Sequence, residues 1–295
     1  MSPEHAPAGR PTAGRLNAGR LIVCPTPLGN LQDITLRVLE MLASADVLAC
    51  EDTRRTRVLL ERHGIAGPEL VSFHEHNERA RAEQLVARMW AGVSVALVSD
   101  AGMPLVSDPG FALIQQALAA GLQVEVLPGP SAVITALVAS GLPAERFRFV
   151  GFLPRKRGEL ERLLGGVGGV GGVGGTLDTL VAFESPGRLA ATLAILAALD
   201  PERPAAVCRE LTKLHEEVRR GSAAELAAYY GEHAPRGEIV LVLGASSPER
   251  ATHEEAMAAL RALIDAGARA RPAAGVLAKL TGISANELYR GLTGS

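Results

Sequence analysis

The stretch VSVALVSDAGMPLVSDPG, Val93 to Gly110, decides the fold. Its first six residues, Val93 to Val98, form an apolar run of strand length. The run stops at Ser99-Asp100 and passes into a loop broken by Gly102, Pro104, Pro109 and Gly110, with a helical pattern from Phe111 to Ala120 behind it. A buried strand emptying into a turn-rich loop and then a helix is the repeating unit of a parallel sheet covered on both faces.

Working outward, the unit recurs. Leu21 to Cys24 leads into Pro25-Thr26-Pro27-Leu28-Gly29-Asn30, then Asp33-Ile34-Thr35, where Asp or Thr can cap a helix over Thr35 to Ala43. Val47 to Cys50 leads into Glu51-Asp52-Thr53-Arg54, and Leu70 to Ser72 into His74-Glu75-His76-Asn77 and a helix from Asn77 to Trp90. Val124 to Leu127 leads into Pro128-Gly129-Pro130-Ser131-Ala132. Ligands of open α/β sheets sit at the carboxyl ends of the strands. Turn and cap chemistry accounts for any one of these loops; five in succession point to a binding rim.

The chain has 295 residues, which predicts two domains with a small appendage. Residues 1–19 are rich in Pro, Ala, Gly and Arg, lack the apolar core of a signal peptide, and read as a disordered tail. Residues 20–127 form the first α/β domain. Residues 128–245 form the second, with strands expected at Phe147 to Val150, Leu180 to Phe183, Ala205 to Cys208, His215 to Arg219 and Ile239 to Leu243. Few connections there suit helical crossovers, so a mixed sheet is expected. Residues 246–295 carry three helical patterns, Glu254 to Ala266, Pro272 to Leu280 and Ser284 to Leu292, consistent with a small helix-turn-helix-like module.

Hydrophobic residues make up 47% and aromatics 3%, so the cores are aliphatic. A formal net charge of −2 excludes a global polycation, and nucleic-acid contact would need a local basic face. Cys24, Cys50 and Cys208 each end an apolar run without metal-ligand spacing, as expected of reduced, buried thiols in a cytoplasmic protein. No apolar run approaches the ~20 residues that span a bilayer, and no metal site is expected. Gly166-Val167-Gly168-Gly169-Val170-Gly171 satisfies G-x-G-x-x-G, but it sits in a Gly-Gly-Val repeat, Gly165 to Gly175, without the flanking strand and helix of a dinucleotide site. It reads as a flexible insert.

These loops, in order, resemble the ribosomal RNA small subunit methyltransferase I family, a branch of the tetrapyrrole methylase fold. The resemblance covers about Arg20 to Gly244 and extends to Ser140-Gly141-Leu142-Pro143, Gly151-Phe152-Leu153-Pro154, Glu184-Ser185-Pro186, Arg209-Glu210-Leu211-Thr212-Lys213 and Gly237-Glu238. The Ser-Asp-Pro-Gly and Arg-Glu-Leu-Thr-Lys runs are specific to that branch. The helical tail is similar to the family's C-terminal module. The sequence departs from the family pattern at Gly187, where histidine is usual before Arg188, in the Gly-Gly-Val insert, and in the N-terminal tail.

The resemblance implies a two-domain tetrapyrrole-methylase-like fold, with a parallel sheet in the N-domain, a mixed sheet in the C-domain and a helical module. It implies S-adenosylmethionine as cofactor, held in a cleft between the domains of a homodimer. The implied acceptor is the 2′-hydroxyl of a decoding-centre cytidine in 16S rRNA, free or in the 30S subunit. Carried over by position, Leu28, Asp100, Ala101, Gly102, Met103, Ser131, Ala132, Phe183 and Arg209 hold the cofactor. Glu184, Glu210 and Lys213 follow second-domain strands and are the catalytic candidates: Glu184 as proton acceptor, Lys213 as stabiliser of the alkoxide. Ion pairing of Lys213 with Glu210 or Glu216 is the competing structural role. For RNA the candidates are Arg54, Arg55, His74, Asn77, Arg155, Lys156 and Arg188. Arg261, Arg269 and Arg271 in the tail read as a solvated helix face. A tetrapyrrole C-methyltransferase of precorrin type and a non-catalytic RNA-binding protein are the alternatives, separable by macrocycle binding and by cofactor binding respectively.

Overall fold

The computed structural model describes residues 18–165, 178–245 and 253–293. Most of the N-terminal tail and of the Gly-Gly-Val insert thus lie outside the described residues. Two compact units emerge, Met1–Thr135 with Leu211–Leu214, and Ala136–Glu210 with His215–Ser295.

The first unit holds β1 (Arg20–Cys24), α1 (Leu36–Ser44), β2 (Val47–Cys50), α2 (Thr53–Arg62), β3 (Glu69–Ser72), α3 (Glu78–Trp90), β4 (Val95–Val98), α4 (Phe111–Ala119) and β5 (Gln123–Val126). The sheet order is β3-β2-β4-β1-β5, and every neighbouring pair is parallel. Strand periodicity of two explains the apolar runs. Leu21, Val47, Ala49, Val95 and Leu97 point into a core with Leu85 and Met89 of α3 and Leu113 of α4. Ile22, Cys24, Leu48, Cys50, Ala96 and Val98 point the other way, against Val38 and Leu42 of α1 and Leu59 and Leu60 of α2. The helices after β1 and β2 therefore lie on one face, and those before and after β4 on the other. β4 is adjacent to both β1 and β2, so its carboxyl end is where successive connections part and a crevice opens.

The second unit contains β6 (Phe147–Phe152), α6 (Arg157–Leu164), β7 (Thr179–Glu184), α7 (Pro186–Leu199), β8 (Pro204–Arg209), β9 (Glu217–Ser222), α8 (Ala223–Glu232) and β10 (Ile239–Leu243); α5 (Ala132–Ser140) carries the chain across the boundary. The order is β6-β7-β10-β8-β9, with β6 and β7 parallel and the other pairs antiparallel, the expected mixed sheet. The strand expected at His215 to Arg219 runs instead over Glu217–Ser222. Leu211–Leu214 belongs to the first unit, and pairing resumes only where Glu217 meets Arg209. As an edge strand with Arg219 and Arg220 in it, β9 lacks the apolar run that marks the others. Ser222 closes it with a capping box to Glu225 that starts α8.

α9 (His253–Asp265), α10 (Ala270–Thr281) and α11 (Ala285–Thr293) share a small core of Met257, Leu260, Ala274, Leu277 and Leu288. Gly282 adopts φ +74° after α10, and the Ser284 hydroxyl accepts from Glu287 N, so a three-residue turn joins the last two helices. The three cysteines are buried thiols, and burial pushes Cys24 up to about 12 and Cys208 to about 11. Among the described residues no helix is long and apolar enough to cross a membrane, and no cluster of side chains could hold a metal ion.

Candidate functional site

At the carboxyl end of the first sheet the loops after β1 and β4 are joined by backbone. Thr26 N donates to Gly102 O and Gly102 N to Thr26 O, both at 2.9 Å. The Thr26 hydroxyl donates to Ser99 O at 3.0 Å, and the Ser99 hydroxyl to Gly102 O at 2.9 Å. Gly102 has φ +79°, and a Cβ there would stand 3.0 Å from Leu28 Cδ2 and 3.7 Å from Pro130 O. Glycine is thus required twice over, for its conformation and for the approach of the loops after β1, β4 and β5. Three predicted cofactor positions come together here: Leu28, the Asp100–Met103 loop, and the Ser131–Ala132 turn next to Pro130.

A crevice of about 260 Å³ opens on this rim, lined by Thr26 to Gly29, Leu31, Ser99, Asp100 and one side of α2 including Arg55. Asp100 accepts from Asp52 N at 3.1 Å and pairs with Arg55 at 3.4 Å. Asp52 caps α2, and the Arg54 guanidinium grips its carboxylate with Nε at 3.1 Å and Nη2 at 2.9 Å, holding that carboxyl down at about 2. Arg54 and Arg55, two of the four arginines predicted for RNA, are therefore balanced by neighbouring carboxylates. Asn77 accepts from His74 N at 2.9 Å and donates to Ser72 O at 3.1 Å. It shapes the turn after β3 and leaves His74 Nδ1 buried without a hydrogen bond.

The long loop that follows Gly102 carries stored strain. Among the described residues, four that are not glycine have positive φ: Leu105 (73°), Ser107 (67°), Glu210 (51°) and Thr212 (65°). Each such residue costs roughly 1–3 kcal/mol, and strain of this kind gathers at functional loops. Ser107, Glu210 and Thr212 fall in the two runs most specific to the family resemblance, and Leu105 lies two residues before the first of them. Glu78 secures the far end of the first loop, accepting from Gly110 N at 3.0 Å and Ala112 N at 2.8 Å at the start of α4. Between lies Asp108, the carboxylate of the Ser-Asp-Pro-Gly run. Burial, and then the charges of Glu51 and Asp100, raise its carboxyl to about 7. Burial and Asp100 likewise raise Glu51.

Lys213 and Thr212 belong to the first unit. The Thr212 hydroxyl accepts from Asn30 N at 3.1 Å, and the aliphatic chain of Lys213 lies against Gly29, where any Cβ would collide with it.

In the second unit Glu184, Ile239 and Arg209 stand in register at the ends of β7, β10 and β8. Glu184 is 2% exposed. Its Oε1 accepts from Ser185 N at 2.7 Å; its Oε2 accepts from the Thr192 hydroxyl at 2.7 Å and pairs with Arg188 at 3.3 Å. Arg188 in turn donates to Leu153 O and Pro154 O, fixing the β6–α6 loop that leads to Arg155 and Lys156. This geometry makes Glu184 an organiser of the loop rather than a carboxylate facing solvent. Phe183 meets Phe149 and Phe152 edge to face, at 5.0 and 5.5 Å. Glu210 Oε1 accepts from Glu238 N at 2.9 Å, and its carboxylate fills the space a side chain at Gly237 would need. Lys156 pairs with Glu159 and Arg157 with Glu161 along α6. Arg209 pairs with Glu217 at 3.2 Å and donates to Arg236 O.

Residues 20–227 match the family model for Tetrapyrrole (Corrin/Porphyrin) Methylases. A protein of Mesorhizobium japonicum named ribosomal RNA small subunit methyltransferase I is 47% identical over 92% of this chain and 90% of its own length. Among solved structures, a uroporphyrin-III-C-methyltransferase from Thermus thermophilus aligns with TM-score 0.53 and 26% identity, covering 77% of this chain and 94% of its own. A structure of that enzyme complexed with S-adenosyl homocysteine aligns with TM-score 0.52 and 23% identity, over 77% and 97%.

Proposed function

Because this chain belongs to the ribosomal RNA small subunit methyltransferase I family of tetrapyrrole methylases, we propose that it methylates the 2′-hydroxyl of a decoding-centre cytidine in 16S rRNA. S-adenosylmethionine is the methyl donor. The observation that carries the reading is the neutral backbone cradle at Gly102, where a φ of +79° disfavours any side chain and a Cβ would crowd Leu28 at 3.0 Å. Such a surface suits the close approach of a nucleoside, and Asp100 beside it supplies an acceptor for ribose hydroxyls or an amino group.

When bound, the cofactor supplies an electrophilic methyl group on a sulfonium, so the chain's residues need only hold, orient and handle a proton. Leu28, Ala101, Gly102, Met103, Ser131 and Ala132 hold the donor. Lys213, held by its packing on Gly29, stabilises the negative charge that develops on the ribose oxygen. Glu184 acts through Arg188 as a positioning residue, which leaves Glu210 to accept the proton. RNA is gripped by Arg155, Lys156 and Arg188, with Arg54, Arg55, His74 and Asn77 at the first rim; the enzyme works as a cytoplasmic homodimer.

The test is methyl transfer from labelled S-adenosylmethionine to 30S subunits from a strain lacking the activity, with the product mapped by nuclease digestion. Label on the ribose of one decoding-centre cytidine is the expected result. Absence of transfer to 30S subunits and naked rRNA, with cofactor binding intact, would overturn it.

A further inference from the structure

A second cavity, of about 270 Å³, lies at the start of β9 and the end of α8, lined by Arg209, Glu217, Tyr229, Tyr230, His233 and the Ala234–Arg236 turn. None of its residues except Arg209 has a part in the chemistry above. The volume falls just below the ~300–1,000 Å³ of sites that enclose a whole small molecule, and so suits one portion of a larger ligand.

Its wall is a stack of flat groups. The Arg219 guanidinium lies 3.5 Å from the centroid of the Tyr229 ring. His233 stacks on the same ring at 4.3 Å with planes 8° apart. Two groups this close and this parallel cannot share one face, so Tyr229 is sandwiched and His233 ends the column. His233 is exposed, Tyr229 is its only ring contact among the described residues, and its Nδ1 is held against Tyr229 O at 2.9 Å, which fixes the ring plane. A fixed, exposed, flat ring is a platform for an unstacked base.

The polar lining points the same way. Glu217 is shared between Arg209 at 3.2 Å and Arg219 at 3.1 Å, and Arg236 has no ion pair among the described residues. The balance favours an anion. Tyr230 is 3% exposed, and its buried hydroxyl has no acceptor for its proton, the Arg219 guanidinium beside it being a donor only. Burial and the Glu217 charge keep that phenol protonated, raised to about 12, so it remains a donor throughout the neutral range. A buried donor without an acceptor is an incomplete site.

We propose that this cavity is a nucleotide subsite: an unpaired nucleotide of the RNA stacks its base on His233 and sets its phosphate against Arg236 and the Tyr230 hydroxyl. The proposal rests on the rRNA reading for its ligand, but it is tested separately from it.

The variants are His233→Ala, His233→Trp and Arg236→Glu, all at exposed positions. Binding of a fluorescein-labelled oligocytidylate is measured by anisotropy, and methyl transfer to 30S subunits by steady-state kinetics. His233→Ala and Arg236→Glu are expected to weaken oligonucleotide binding about tenfold and to raise the KM for 30S subunits by a similar factor. The kcat and the S-adenosylmethionine affinity stay at wild-type values. His233→Trp, which keeps a stacking face, restores binding. Unchanged binding and KM in both variants would overturn the subsite while leaving the methyltransferase reading intact. Oligonucleotide binding that depends on His233 and Arg236, in a wild-type protein that transfers no methyl group to 30S subunits, would support the subsite and sink the rRNA reading.

Discussion

At the rim of the first sheet, backbone holds the loops; at the rim of the second, side chains do. Thr26 and Gly102 exchange main-chain hydrogen bonds, and the Gly102 loop closes on Leu28 and the Pro130 carbonyl. On the second sheet the ends of β7 and β8 are organised by the Glu184–Arg188 and Arg209–Glu217 pairs. Charge follows the same division. The first rim gathers Glu51, Asp52, Asp100 and Asp108, with Arg54 and Arg55 tied to two of these carboxylates. On the second, Arg188 and Arg209 also spend donors on carbonyl oxygens. Neutral backbone with a few carboxylates suits a nucleoside bearing an amino group, whereas guanidinium groups suit phosphate. The contrast fits the proposed donor residues Leu28 and Ala101 to Met103 at the first rim and the proposed phosphate contacts of Arg155, Lys156 and Arg188 at the second.

Lys213 breaks the symmetry, because the segment Leu211–Leu214 leaves the second unit to pack with the first. Lys213→Ala should lower kcat about 10²–10³-fold, as loss of one charge-stabilising group does in other enzymes. Isothermal titration should show donor affinity unchanged; a fall in affinity instead would make Lys213 part of the donor cradle. Gly102→Val adds a side chain where φ is +79° and Leu28 is already in contact, and it should weaken donor binding about tenfold to a hundredfold by the same titration. RNA affinity should not follow.

Glu184→Ala removes a buried carboxylate that holds Ser185, Arg188 and Thr192. Because Arg188 is partly exposed, the cost should lie below the 3–5 kcal/mol of a fully buried pair, at about 2 kcal/mol and a Tm loss of several degrees. Turnover per folded molecule, measured at saturating RNA, should fall only modestly. A loss of kcat above a hundredfold without a loss of Tm would return Glu184 to the role of base.

Asp108 yields the smallest effect and a definite sign. Its folded pKa is raised to about 7 from the ordinary aspartate value of about 3.9, so between those values the native state holds a proton that the unfolded chain has lost. Stability from this group therefore falls as pH rises from about 4 to about 7 and stays low above. Asp108→Asn should raise Tm by about 2–4 °C at pH 8 and leave it unchanged below pH 4, followed by thermal melts across that range.

Much of the fold was legible because the central strands of the first sheet, β1, β2 and β4, are apolar runs buried on both faces, and each ends in a turn. β9 was misplaced because an edge strand bearing Arg219 and Arg220 carries no such run. The glycine cradle was legible as motif, since only glycine serves at Gly102. The enclosure of Glu184 was not, because its partners Arg188 and Thr192 come from the following helix and resemble any polar helix face. The elevated Asp108 carboxyl depends on burial and then on Glu51, 57 positions away in sequence, and the Arg219–Tyr229–His233 column joins a strand to the end of the following helix. No local pattern announces either.

The division of labour between the two rims is tested most directly by varying both substrates in the methyl-transfer assay for Gly102→Ala and Arg155→Glu. The account predicts that Gly102→Ala raises the KM for S-adenosylmethionine alone and Arg155→Glu the KM for 30S subunits alone. A rise in both constants for either variant, or an exchange of the two effects, would contradict it.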